Sequence, residues 1–310
     1  MNISAYEKTQ KVKAILFDGE KSISHEYEKR LIQIKESVKY IFELFMETDG
    51  KLGDVSSIER LRRLAFLGDE SFSFHREMLG HHKRKIGFAL SQLHSVDRAI
   101  LAQSLAELIQ TDESALDVSE LLEISEPSSP AIAYVKNPQT SHAYDEFSSC
   151  FYDSRVLYAR NFDEACEQMR MKNADYCILP LYSDEAGELS SVFRIIDTYT
   201  LKICAVYDYE GENGTVKYAL ISEKNNFILD GDTRFFDFSV NIEKPSDIQS
   251  LLCAAEFFGF GLKNVKSTQL DTGTGCRLVL EQKDGDMHSL IVYLTLFFGD
   301  FNIYGFYSKI

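Results

Sequence analysis

Residues 174–187 read Ala174-Asp175-Tyr176-Cys177-Ile178-Leu179-Pro180-Leu181-Tyr182-Ser183-Asp184-Glu185-Ala186-Gly187. The apolar run from Tyr176 to Leu179 predicts a buried strand, stopped by Pro180 and opening into a polar loop. Beyond Gly187, Leu189, Val192, Phe193 and Ile196 recur at helical spacing. A loop at the carboxyl end of a strand, feeding a helix N-terminus, is where α/β proteins hold small anions. An ordinary strand–loop–helix crossover shows the same pattern, so spacing alone does not make a site.

Outward from this stretch, residues 131–224 alternate strand and helix. Strands are expected at Ile132–Val135, Val156–Ala159, Tyr176–Leu179, Lys202–Tyr207 and Val216–Ser222, with helices from Ser141, from Asp163 and near 188–197. That order describes an α/β layer with a largely parallel sheet. Residues 233–310 read strand, helix, strand, strand, helix, strand, the split βαβ order of a ferredoxin-like unit. Residues 22–110 are mainly helical by pattern, with Leu31, Ile34, Val38, Ile41, Phe42 and Phe45 in one stripe. The fold class is therefore α+β and multidomain. Its segments are a helical domain at 1–112, a linker at 113–130, one α/β lobe at 131–226 and a ferredoxin-like domain at 233–310.

Composition narrows the partners. The 310 residues are 45% hydrophobic and 26% charged, with no long apolar window and a polar beginning, which points to a cytoplasmic protein. The six cysteines are scattered without a C-x-x-C pair, so neither a zinc site nor a disulfide framework is expected. No cofactor is expected either. Residues 1–112 hold 17 basic and 17 acidic side chains, so the whole net charge of −15 lies in residues 113–310. A surface that acidic repels nucleic acid and anionic membrane. An anionic metabolite then needs a local pocket of positive potential.

The landmarks in their order resemble the prephenate dehydratase family. Ala174-Asp175-Tyr176, Pro180 and Gly187 match its strand and loop, with Leu181-Tyr182-Ser183-Asp184 in place of Ile-Glu-Asn-Ser. Ala133-Tyr134-Val135 and Thr140-Ser141-His142-Ala143 resemble the family's opening motif, with its glycines lost. Asn302 to Tyr307 resembles the last strand of the ACT domain that follows the dehydratase. The resemblance spans residues 131–310. It implies the chorismate-to-phenylalanine branch of aromatic amino-acid biosynthesis, a small anionic metabolite or amino-acid effector, and a homodimer through the ACT-like domain. A helical chorismate mutase domain precedes the dehydratase in family fusions. Arg30, Lys35, Lys39, Arg60, Arg63 and Gln103 stand in that region without the mutase spacing, and their charges fit a solvated helix face better. The cluster His75, His81, His82, Lys83, Arg84 and Lys85 suggests a metal site, but no carboxylate completes a ligand set and a solvated basic face is the better reading.

Several features depart from the family. Its dehydratases leave the strand matching Leu201–Tyr207 for a second lobe, then return through a Thr-Arg-Phe strand. Here the excursion is only Asp208 to Thr215, and Val216-Lys217-Tyr218 takes the Thr-Arg-Phe place. The literal Thr233-Arg234-Phe235 fits the first ACT-like strand better. The resemblance and the anion logic give substrate-binding candidates Thr140, Ser141, Ser183, Asp184, Gly187 and Lys217, with Ser141 equally readable as a helix N-cap. Ser246, Asp247, Ile248 and Ser267 stand where the family's phenylalanine motifs fall. Two functions follow from different classes. One is a mutase or dehydratase of the phenylalanine branch with degraded motifs. The other is a non-catalytic regulatory protein that binds an amino acid or aromatic metabolite.

Overall fold

Five apolar runs build the first half of the sheet in the computed structural model, which describes residues 26, 28–36, 38, 93–111, 129–212, 214–224, 228, 233–242, 244–270, 273–298 and 301–310. They are β1 (Ala131–Val135), β2 (Arg155–Ala159), β3 (Tyr176–Ser183) with a short return strand β4 (Gly187–Glu188), β5 (Lys202–Gly211) and β6 (Gly214–Ser222). Strand β1 pairs in parallel with β2 and β3, and β6 runs antiparallel between β3 and β5. Because β1 and β3 are buried nearly throughout, both sheet faces need cover. Helix α2 (Pro138–Ser149) covers one face through Ala143 and Phe147. Helices α3 (Phe162–Arg170) and α4 (Ser190–Thr198) cover the other through Cys166, Met169, Val192 and Ile196.

Two expectations are corrected by local chemistry. Helix α2 begins at Pro138, three residues before Ser141, because Asn137 caps it. Asn137 Oδ1 accepts from Thr140 N at 2.9 Å, and Thr140 Oγ1 accepts from Asn137 N at 3.2 Å. Pro180 does not end β3. The ladder to β6 shifts register between Pro180 and Tyr182, and this bulge accommodates the missing N–H.

The second half runs β7 (Thr233–Ile242), α5 (Pro245–Phe257), β8 (Phe260–Leu270), β9 (Gly273–Gln282), α6 (Met287–Phe297) and β10 (Phe301–Lys309). Its spatial order β10-β7-β9-β8, antiparallel throughout, is the split βαβ topology expected from the element order. The literal Thr233-Arg234-Phe235 indeed opens β7. Helices α5 and α6 cover Phe236, Phe238, Leu278 and Leu280. Helix α1 (Ser95–Thr111) joins the same core through Leu101 and Leu105, as do Ile34 and Val38. Arg30 Nη2 meets Asp97 Oδ2 at 2.5 Å, so that basic residue is paired within the structure. Lys39, Arg60, Arg63, His75, His81 and His82 lie outside the described residues. No helix among the described residues is long and apolar enough to cross a membrane.

The sequence divides at 226–233, but the sheet does not. Strand β10 pairs in parallel with β5, Ser308 opposite Ala205 and Lys309 opposite Val206, giving one sheet in the order β2-β1-β3-β6-β5-β10-β7-β9-β8. Ile228 fills the seam: its N–H donates to Cys204 O at 2.8 Å, and its carbonyl accepts from Ser308 N at 3.0 Å. The Lys202 ammonium donates to the Ile303 carbonyl across the same seam. A Cβ on Gly305 would overlap the Ile203 carbonyl oxygen, so only glycine fits there.

A buried ion pair ties the halves a second time, on the α4 side of the sheet. Arg277 on β9 forks onto Asp237 of β7 at 2.8 and 2.7 Å. Its guanidinium lies between the rings of Phe193 from α4, 4.1 Å away, and Tyr304 of β10, 4.3 Å away. Burial pushes the Asp237 carboxyl upward, and the Arg277 charge opposes that push.

Gly305→Ala should cost about 1–3 kcal/mol through overpacking. Urea denaturation followed by far-UV circular dichroism and tyrosine fluorescence should show one transition moved to lower urea; an unmoved midpoint would mean the seam has slack. Arg277→Met should cost about 3–5 kcal/mol near neutral pH, because a buried carboxylate loses its cation. With burial unopposed, the folded pKa of Asp237 then lies above its unfolded value. The variant is therefore penalised least below about pH 4 and progressively more as pH rises. A deficit that stays constant from pH 7 to pH 4 would show that Asp237 is not the stranded charge.

Candidate functional site

The carboxyl ends of β1, β3 and β5 lie together, and two groups of side chains gather there on opposite faces of the sheet. On the α2 face, Tyr207 Oη meets His142 Nδ1 at 3.2 Å, and the two rings stack at 5.8 Å. Tyr209 approaches His142 edge-on at 5.5 Å, and Glu146 lies 4.0 Å from Nδ1. Tyr218 Oη donates to Gln139 Oε1 at 3.2 Å. Burial pushes the Tyr218 phenol up to about 12 and also raises that of Tyr207, where Glu146 adds to the effect. Both phenols are therefore hydrogen-bond donors at neutral pH, not bases.

On the α4 face, Lys217 of β6 and Lys309 of β10 flank Asp208 of β5. Lys217 Nζ lies 3.6 Å from Asp208 Oδ1, and Lys309 Nζ 2.8 Å from Oδ2. Both ammonium groups are thus matched by a carboxylate. Lys136, beyond β1, sits 4.6 Å over the ring of Tyr158. A carboxylate ligand arriving at this edge meets two lysines already engaged by one carboxylate.

The sequence-derived candidates are placed as follows. Thr140 is buried, and its hydroxyl donates to Val135 O while serving the cap of α2. Ser141 follows it within α2, on the opposite side of the sheet from Lys217. Ser183 Oγ accepts from Ala186 N at 3.1 Å inside the β3–β4 turn. Asp184 clasps the neighbouring hairpin: it accepts from Thr215 N at 2.7 Å, and its own N–H donates to Thr215 O at 3.0 Å. That bond draws the Asp184 carboxyl below its ordinary range. Gly187, with φ +69, makes the turn back into β4. The loop is therefore a closed hairpin turn, and α4 starts after it without a side-chain cap. The loop does not deliver an open helix N-terminus to an anion.

Of the effector candidates, Ser246, Asp247 and Ile248 occupy the first turn of α5, where Asp247 accepts from Lys244 N at 3.0 Å. Ile248 lines a cleft of about 470 Å³ between α5 and β8, with Leu252, Cys253, Phe260, Leu262 and Lys283. Ser267, exposed on β8, is not part of its lining. No group of metal-ligating side chains occurs among the described residues.

Reasoning from sequence missed Gln139, Tyr207, Asp208, Tyr209 and Lys309. The alternation Tyr207-Asp208-Tyr209 signals a two-faced strand end. Nothing local signals Lys309, which reaches β5 only through the sheet order.

No family model matches this chain, and no curated protein does. Among solved structures, the prephenate dehydratase of Streptococcus mutans aligns over 58% of this chain and 98% of its own, at a TM-score of 0.46 and 14% identity. The prephenate dehydratase of Arthrobacter aurescens in complex with L-Phe aligns over 57% and 89%, at 0.47 and 10%. GqqA, described as a novel type of quorum quenching acylase, aligns over 57% and 94%, at 0.44 and 16%. All three lie below a TM-score of 0.5.

Proposed function

We propose that this chain is a one-lobed relative of prephenate dehydratase that binds a small carboxylate metabolite or amino acid and regulates a partner without turning its ligand over. The observation that carries the reading is the β5–β6 hairpin. From the Ala205–Leu220 pair its ladder runs unbroken to the Gly211–Gly214 pair, at the point where a second lobe would have to leave. Dehydrating and decarboxylating prephenate requires two carboxylates held still and a departing hydroxyl protonated. Lobe closure supplies that by excluding water and positioning donors. An open edge leaves an exposed ion pair contributing about 1 kcal/mol or less. His142, on the α2 face, is half exposed. Chorismate mutase chemistry in the helical region has no support from Arg30, which is spent on Asp97.

The second half is proposed as an ACT-like regulatory unit that pairs two copies of the chain in the cytoplasm. Its support is the split βαβ topology and the long outer strand β8, which exposes Leu262 and Val265 at the sheet edge.

The purified, folded chain given chorismate and prephenate separately should form neither prephenate nor phenylpyruvate. Titration calorimetry with phenylpyruvate or L-phenylalanine should show binding. Phenylpyruvate formed from prephenate would restore the enzyme and overturn this reading. In sedimentation velocity the full chain should run as a dimer at micromolar concentration, and a persistent monomer would count against pairing through β8.

A further inference from the structure

We propose that Lys217 and Lys309 form a binding site for a ligand carboxylate, and that Asp208 closes this site in cis by occupying the ligand's place. The inference rests on the proposed ligand-binding role and adds to it the residues and the means of control. Three neighbouring strands each contribute one charge. Lys217 stands directly opposite Asp208 in the β5–β6 ladder, and Lys309 stands beside Val206, diagonal to Asp208. Alternation from the buried Val206 and Ala219 puts all three on the α4 face. A carboxylate between two ammonium groups, at 3.6 and 2.8 Å, is the arrangement a bound carboxylate ligand would adopt.

The hold of Asp208 on this place is weak. Its Oδ1 is shielded from solvent yet accepts no hydrogen bond from any described residue, its nearest cation lying 3.6 Å away. A buried acceptor left unsatisfied is unfavourable. The two lysine side chains are 42% and 47% exposed, so the ammonium groups can be reached from solvent while the aspartate, at 19%, lies beneath them. Ion pairs with partners so exposed contribute about 0–1 kcal/mol. A ligand carboxylate at millimolar concentration can therefore compete, if Asp208 swings aside. Thr233 of β7 stands opposite Lys309 and puts a further hydroxyl-bearing residue at the same edge. Because Lys309 belongs to β10, the site joins the lobe to the ferredoxin-like half. Occupation by a ligand would be felt directly by the strand that holds the two halves together.

The test is titration calorimetry of phenylpyruvate into the full wild-type chain, Asp208→Asn, and Asp208→Asn combined with Lys309→Met. The methyl ester of phenylpyruvate serves as the uncharged control. Asp208→Asn should bind phenylpyruvate at least tenfold more tightly than wild type, the double variant should lose that gain, and the ester should show none. Wild-type binding that neither Asp208→Asn nor Lys309→Met alters would overturn the closed site while leaving the ligand-binding role standing. Silence from both wild type and Asp208→Asn, with circular dichroism confirming the fold, would overturn both. A gain that survives Lys309→Met would also sink the proposal. If the asparagine variant fails to fold, Asp208→Ser replaces it. Lys309→Met alone gives an independent reading, with affinity at least threefold below wild type expected and unchanged affinity counting against the site.

Discussion

Strand β10 meets β5 through only two residue pairs, Ser308 with Ala205 and Lys309 with Val206. Remove that seam, and β5 and β10 become two open edges facing each other. Four other contacts converge there: the bridging backbone of Ile228, the buried Lys202 ammonium, the side-chain-free Gly305 and the bond from Ile310 N to Val206 O. Tyr304, Tyr307 and Phe235 then share one apolar cluster with Ile203, Val206 and Ile221 of the lobe. The Arg277–Asp237 pair under Phe193 adds a second attachment. Its burial makes it a strong constraint on geometry and a poor source of net stability.

This construction bears on how a ligand can be bound. A two-lobed binder holds its ligand by closing, with hinge residues absorbing the change. Here β5 turns back into β6 at Gly211–Gly214, and the lobe continues into a second set of strands. In the proposed reading, control falls to side chains at the strand ends, where Asp208 lies between Lys217 and Lys309. The tyrosine phenols of Tyr207 and Tyr218 on the opposite face, raised by burial, stay protonated at neutral pH.

The order of strands and helices was legible because buried parallel strands are short, continuously apolar runs, and β1, β3 and β5 are all of that kind. The split βαβ order of the second half was legible because its antiparallel strand runs alternate with the helical stretches of α5 and α6. Helix α2 was misplaced by three residues because Ser141 fits an N-cap as well as Asn137 does. Pro138 in the next position was the better signal, since its fixed φ suits the first helical turn. Pro180 misled because a bulge can absorb it, and bulges leave no local mark. The seam was illegible altogether: Lys202 and Ile303 are 101 residues apart, and their meeting depends on which strand edges remain unpaired. With the seam went Lys309, and with Lys309 the half of the candidate site that the second set of strands provides.

The position of β10 also constrains how the chain comes off the ribosome. It is the last of the ten strands to be synthesised, yet it lies in the interior of the sheet between two strands made long before it. Until residues 301–309 emerge, the earlier strands have no partner along β5 and β7, and both edges stay open to mispairing. Completion must also wait for contacts of very long sequence separation, the kind that folds slowly. A nascent or truncated chain would then be shielded only by whatever holds those edges apart in the cell, which makes chaperone demand and proteolytic loss direct consequences of strand order.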